Sequence, residues 1–265
     1  MACLQTCGQL QQRYQRASAR ERVSSSSVKV AYVLYPDFTA LDLIGPYEVI
    51  SVWPDVELHW VATTPGPIRT DHGLAMLPTA MPADLPDPDL LVIPGSSKPL
   101  GPLKDELLLS WVRSVAPTAQ WLTSVCTGSG VYAAAGVLKG RRATTHWGFR
   151  ENLKAMGVDV VADRVVFDGR FVTGAGVSAG IDMALALTAR VHGDELAKAI
   201  QLGIEYDPQP LFDVGAPQRA DASTLRLAAR MLLGESPLRT LAGYSSRMLS
   251  DRIRALRRTA ASTRR

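Results

Sequence analysis

The strongest constraint on the fold is a set of short, uninterrupted apolar runs separated by helix-like stretches. Val28-Lys29-Val30-Ala31-Tyr32-Val33-Leu34-Tyr35, Asp89-Leu90-Leu91-Val92-Ile93 and Ala119-Gln120-Trp121-Leu122-Thr123-Ser124-Val125 are strand-length and rich in β-branched and aromatic residues. They do not alternate apolar with polar, so each reads as a strand buried on both faces. Residues 56–63 alternate as a further strand, and Pro65-Gly66-Pro67 turns the chain. Helices are expected around 42–53, over 104–115 and over 178–192, the last entered through Gly174-Ala175-Gly176. Asp168-Gly169, flanked by 165–167 and 171–173, signals a β-hairpin. A repeated β-α-β succession of this kind predicts an α/β fold, a doubly wound, mostly parallel sheet with helices on both faces.

Charge divides the chain into three parts: a flexible N-terminal extension over 1–27, an α/β catalytic domain over 28–216 and a basic helical tail over 217–265. The net charge of +4 comes from the ends. Residues 1–27 carry four Arg and one Glu, residues 217–265 carry eleven Arg and three acids, and 28–216 is net −7. An acidic central region is not the profile of a nucleic-acid-binding domain. The leader ends in Ser24-Ser25-Ser26-Ser27 and lacks the apolar segment of a signal peptide. In the tail, Leu225, Ala228, Ala229 and Leu232 form one apolar stripe and Leu249, Ile253 and Leu256 a second, an amphipathic pattern suited to packing on the domain or a dimer mate. No run is long enough to span a bilayer. Two of the three cysteines, Cys3 and Cys7, fall in the leader and make no disulfide framework, which points to a reducing, cytoplasmic compartment.

Cys126 stands where the third apolar run meets a small-residue helix, Thr127-Gly128-Ser129-Gly130-Val131-Tyr132-Ala133-Ala134. That point is the C-terminal edge of a parallel sheet, where open α/β folds bind ligands. It is also a helix N-terminus, whose N–H groups favour a thiolate. Gly128 lets backbone and substrate approach closely. A nucleophile on a sharp turn and a buried structural thiol are both compatible with this pattern. Asp42 begins a helix after the first strand, either as a first-turn carboxylate or as an acid/base beside the thiol. Gly95 and Ser96 follow the strand at 89–93 and offer backbone N–H groups to a developing negative charge. Thr127 can offer its hydroxyl to a ligand. His146 is the one histidine placed to serve the cysteine; His59, His72 and His192 read as structural or solvated. No ligand spacing indicates a metal, and the glycines form neither a dinucleotide fingerprint nor a P-loop, so no cofactor is expected.

Taken together, Tyr35-Pro36-Asp37-Phe38, Leu41-Asp42-Leu43-Ile44-Gly45-Pro46, Ile93-Pro94-Gly95, Ser124-Val125-Cys126-Thr127-Gly128, Ala143-Thr144-Thr145-His146-Trp147 and the segment 173–182 resemble the ThiJ/PfpI superfamily. The resemblance covers about 28–216 and implies a flavodoxin-like, class I glutamine amidotransferase-like fold. Within the superfamily the chain looks most like the isocyanide (isonitrile) hydratases. The features are Asp42, where many relatives have glutamate, and Gln201-Leu202-Gly203-Ile204-Glu205-Tyr206-Asp207-Pro208-Gln209-Pro210 leading into Phe212. Such enzymes are implied to be cofactor-independent homodimers acting on a small-molecule isocyanide, with Cys126 as nucleophile, Asp42 as acid/base and Thr127 assisting. Gly95, Ser96, Gly128 and His146 would line the substrate site. Ser96 replaces a glycine usual in relatives, and its side chain is expected to narrow the pocket or strain the turn. AraC-type regulators share the same segments, but 217–265 is short for their paired DNA-binding units. A cysteine-based redox or electrophile sensor is the other alternative.

Overall fold

The computed structural model describes residues 27–233. The leader up to Ser26 and the second apolar stripe of the tail lie outside them. A central sheet is built from β1 (Val28–Leu34), β2 (Val56–Ala62), β5 (Leu90–Ile93), β6 (Trp121–Val125), β9 (Val165–Asp168) and β10 (Phe171–Gly174). Their spatial order is β2-β1-β5-β6-β10-β9, parallel throughout except for the antiparallel β9–β10 hairpin at one edge. Leu90, Leu91, Val92 and Ile93 are all fully buried, as a strand covered on both faces must be. The doubly wound sheet expected from the apolar runs is therefore present, with its predicted hairpin.

Two groups of helices cover it. α1 (Ala40–Ile50) packs on α5 (Ala179–His192), which also contacts α6 (Asp194–Gly203). α2 (Glu106–Val115), α3 (Ser129–Ala134) and α4 (Arg150–Ala155) form the other group. α2 starts at Asp105, whose carboxylate accepts the Leu108 N–H at 3.1 Å, and buries Leu108, Leu109, Trp111, Val112 and Val115. The α1–α5 contact is tightened by Trp53, whose Nε1–H donates to Thr188 Oγ1 at 2.8 Å and whose ring meets His192 edge-on. Of the two readings open for His192, structural or solvated, the ring contact favours the structural one.

Several elements are too short to carry a sequence period. β3 (Ile68–Arg69) and β4 (Ala75–Met76) form a small antiparallel hairpin, and β7 (Arg142–Ala143) pairs with β8 (Asp159–Val160). The β3–β4 hairpin is tied to the loop after β1, because Asp37 N–H donates to Arg69 C=O and Asp71 N–H to Phe38 C=O. In α7 (Ala222–Leu233), Leu225, Ala228 and Ala229 are half-buried while Leu227 and Met231 are exposed, in keeping with the first tail stripe. Among the described residues, no helix is long and apolar enough to cross a membrane.

Strand order reverses between β1 and β5: the chain runs from β1 outward to β2, then returns past β1 to β5 and β6. A crevice opens outside the strand ends at such a switch point. The segments leaving β1, β5 and β6 converge there.

Candidate active site

Cys126 is the first residue after β6 and adopts φ +59°, the left-handed region that a β-carbon disfavours. The strained turn is held from several sides. Thr145 Oγ1 and Ser129 Oγ both donate to the Cys126 carbonyl, at 2.8 and 3.3 Å. Gly128 lies against the Ile93 and Pro94 carbonyls so closely that no β-carbon would fit. This is the geometry of a nucleophile elbow, with the side chain presented at the sheet edge.

Asp42 is the third residue of α1 and is fully buried. It does not cap the helix: its Oδ2 instead accepts the Gly95 N–H at 2.7 Å, across 53 residues of sequence. A β-carbon built on Gly95 would fall 2.7 Å from both Asp42 Oδ2 and Cys126 Cβ, so the carboxyl and the cysteine flank the same spot. Glycine is required there because the two groups meet where its side chain would be. The Asp42 carboxyl and the Cys126 thiol are near enough to move each other's protonation, while Asp42 Oδ1 has no hydrogen-bond partner.

Burial governs the protonation of both groups. Asp42 is pushed up from 3.8 to about 7 by loss of water, against the stabilising Gly95 N–H and the thiol. The Cys126 thiol is raised well above its ordinary value, first by burial and then by the Asp42 charge, against a favourable Thr127 N–H. Burial thus opposes the thiolate that the helix N-terminus favours. Desolvation and the adjacent carboxylate outweigh the N–H groups of a helix that begins as a single 3-10 turn, Cys126–Gly128. Since the charge on each group shifts the proton affinity of the other, their ionisations belong to the pair.

The donors proposed for a ligand are occupied. Gly95 N–H is taken by Asp42, and Ser96 N–H donates to Thr127 Oγ1 at 2.8 Å. The Thr127 hydroxyl donates in turn to the Ser96 carbonyl at 3.1 Å. Having one proton, it has none left for a substrate. Thr127 is therefore a clamp between the loops after β5 and β6, and Gly95 and Ser96 are not a free oxyanion hole. Nor does Ser96 strain its turn, since it is absent from the positive-φ residues. Its hydroxyl donates to Asp37 C=O at 2.6 Å and accepts Lys98 N–H at 2.8 Å, tying the β1 and β5 loops together.

His146 lines the same cavity as Cys126, but no hydrogen bond joins the two. Its Nδ1 accepts the Gly148 N–H at 3.2 Å, and burial, aided by the Arg150 charge, lowers its pKa to about 4. With Nδ1 accepting, the neutral ring favoured by burial carries its one N–H on Nε2, so His146 is a wall that can donate a hydrogen bond but is no proton source for catalysis. The cavity measures about 780 Å³ and is mostly apolar, with Leu41, Leu74, Trp147, Phe149 and Val177 in its walls. Asp71, from the β3–β4 turn, also lines it. The sequence had not singled it out, because strands of two residues carry no periodicity. Among the described residues, no cluster of His, Cys, Asp and Glu could hold a metal.

A mostly parallel sheet with a strained cysteine at the crevice beside its switch point, near a carboxyl from the first helix, defines the class. The chain belongs to the DJ-1/PfpI family, whose model matches residues 28–190. It is 41% identical over 215 residues to the isonitrile hydratase of Pseudomonas putida, covering 81% of this chain and 94% of that protein. It is 27% identical over 245 residues to the HTH-type transcriptional regulator CdhR of Pseudomonas aeruginosa, covering 86% and 70% of the two chains. Among solved structures, a THiJ/PfpI family protein from Pseudomonas syringae superposes with a TM-score of 0.77 at 33% identity, over 86% of this chain and 94% of that one. Drosophila melanogaster DJ-1beta shares the fold, with a TM-score of 0.61 at 20% identity over 68% of this chain and 98% of that one.

Proposed function

We propose that this protein is an isonitrile hydratase that adds water to R–N≡C and releases an N-substituted formamide. The observation that carries the reading is the Cys126 thiol in the wall of a mostly apolar cavity, with the buried Asp42 carboxyl beside it. Its support is the 41% identity to the Pseudomonas putida enzyme over nearly all of that protein.

The chemistry follows from a pair that holds one proton. With Asp42 raised to about 7 and the thiol higher still, the pair is singly protonated just above neutrality. Attack of sulfur on the terminal isocyanide carbon forms the C–S bond as the thiol proton passes to Asp42. Asp42 returns that proton to the carbon, giving the thioimidate R–N=CH–S. Water then adds to this carbon. Asp42 takes a water proton and delivers it to nitrogen, leaving R–NH–CH(OH)–S. Cleavage of the C–S bond expels the sulfur, and the hydroxyl proton returns to the pair as R–NH–CHO departs. One water is consumed, and thiol and carboxylate are regenerated.

Proton transfer accompanies every bond change, so no large charge builds up in a cavity with few spare donors. The same protonation weighs against an oxidant sensor, whose cysteine needs thiolate character to react readily. The test is incubation with an aryl isocyanide, following formamide release and trapping a Cys126 adduct by intact mass spectrometry. Formamide production with the native protein and none with Cys126→Ala supports the reading. Turnover that survives that substitution refutes it.

A further inference from the structure

Asp71 is placed where the mechanism does not need it. Its side chain is 4% exposed and lines the cavity that holds Cys126. One oxygen, Oδ2, accepts the Thr39 hydroxyl at 2.7 Å. The other, Oδ1, is buried and has no hydrogen-bond partner. His72 Nε2 stands 4.0 Å from it, too far for a hydrogen bond, and that ring is 92% exposed and so able to swing aside. An unpaired buried carboxylate oxygen costs free energy that an incoming donor would recover. Of the cavity walls, Leu41, Leu74 and Val177 carry no donor, and the Lys98 ammonium is held by Asp37 at 3.0 Å. Asp71 and Cys126 line the same cavity, so a ligand held at the sulfur shares one enclosure with this wall.

We propose that Asp71 is a specificity-determining residue whose Oδ1 receives a hydrogen-bond donor carried on the R group of the substrate. The ligands that fit this cavity are then amphipathic isocyanides with an apolar body and an ammonium or hydroxyl group away from the isocyano end. The inference rests on the hydratase reading for the reacting end of the ligand and on Asp71 for the other end.

Two probes of nearly equal shape test it: 3-(dimethylamino)propyl isocyanide, protonated near neutral pH, and 4-methylpentyl isocyanide, which carries no charge. Both are measured by kcat/KM for hydration and by calorimetric binding to the Cys126→Ala protein. The native protein should favour the ammonium probe by about tenfold or more, the scale of one charge-assisted hydrogen bond, and chiefly through KM. Asp71→Asn keeps an acceptor for Thr39 but loses the charge, and most of the preference should go with it. Asp71→Ser is the second variant should the first fail to fold. Equal preference in native and variant proteins overturns the proposal. So does a native protein indifferent to the two probes, as would follow if an ordered water satisfies Oδ1. Absence of hydration with both probes overturns the hydratase reading instead, and the binding ratio then still decides the role of Asp71.

Discussion

Replacing Asp42 by Asn separates the buried acid from the rest of the fold, because shape and the Gly95 hydrogen bond can both be kept. The side-chain carbonyl of Asn can accept the Gly95 N–H that Oδ2 accepts now, at 2.7 Å. What disappears is a group that must be deprotonated without water. In the native state Asp42 titrates at about 7, against 3.8 for an ordinary carboxyl, so between those values the folded protein binds a proton that the unfolded chain has released. Stability therefore falls as pH rises through this window, the reverse of the usual carboxylate, which is stabilised by ionising. The rise to about 7 amounts to about 4 kcal/mol at roughly 1.4 kcal/mol per pH unit, an upper figure because the thiol shares the proton. Denaturant unfolding of both proteins from about pH 4 to about pH 8 measures the effect as a difference, so groups common to the two cancel. Asp42→Asn should gain on the native protein across that range, by up to about 4 kcal/mol at the alkaline end. The same variant should have lost hydration by several orders of magnitude, since an amide cannot relay the proton. Parallel stability curves would mean that Asp42 ionises normally, and the shared-proton mechanism would fall with them.

The remaining predictions concern the pH profile and the frame. Hydration kcat/KM should rise through about pH 7 as the pair reaches its singly protonated form and stay level above it, because the thiol ionises only at much higher pH; a fall above pH 7 would mean that the doubly protonated pair is the reactive one. Gly95→Ala places a methyl 2.7 Å from both Asp42 Oδ2 and Cys126 Cβ, so it should abolish turnover. Thermal unfolding should show a stability loss of about 1–3 kcal/mol, the scale of an overpacked core. Thr127→Val removes the acceptor of the buried Ser96 N–H and should cost about 1–3 kcal/mol in denaturant unfolding. If its loss appears in kcat with stability unchanged, the Thr127 hydroxyl serves the substrate after all.

The sheet was legible because its central strands are buried on both faces, which leaves apolar runs such as Leu90–Ile93 that need no partner to be recognised. The turn at Asp168-Gly169 was legible for the opposite reason, a purely local conformational demand, met by Gly169 at φ +61°. Elements of two residues were not, since two residues show no period. With them went the β3–β4 hairpin and Asp71, the one charged wall of the cavity outside the reacting pair that keeps an unpaired oxygen. In the site, Cys126 and Asp42 could be named from their positions after strands, but not their protonation. The helix-dipole argument sees only the residues that follow Cys126. The outcome depends on Asp42, distant in sequence, and on the loops that exclude water from both.

The same long-range closure bears on which reactions the site can perform. A thiol on a strained turn beside an acid could in principle cleave amides or esters, whose tetrahedral oxyanion needs two or more free N–H donors. Here the β5 loop has spent its donors: Gly95 N–H fixes Asp42, and Ser96 N–H fixes Thr127. Each bond makes the frame more rigid and the site poorer in donors. What remains at the sulfur is a single mobile proton shared with a carboxyl whose affinity for it is set near neutrality. Addition to an isocyanide suits that inventory, because each new bond at carbon is matched by one proton moved over a short distance. An acyl transfer would instead raise an oxyanion with neither of these β5-loop N–H groups free to meet it. The hydrogen bonds that hold Cys126 and Asp42 together thus also select against the hydrolytic chemistry that a cysteine elbow would otherwise support.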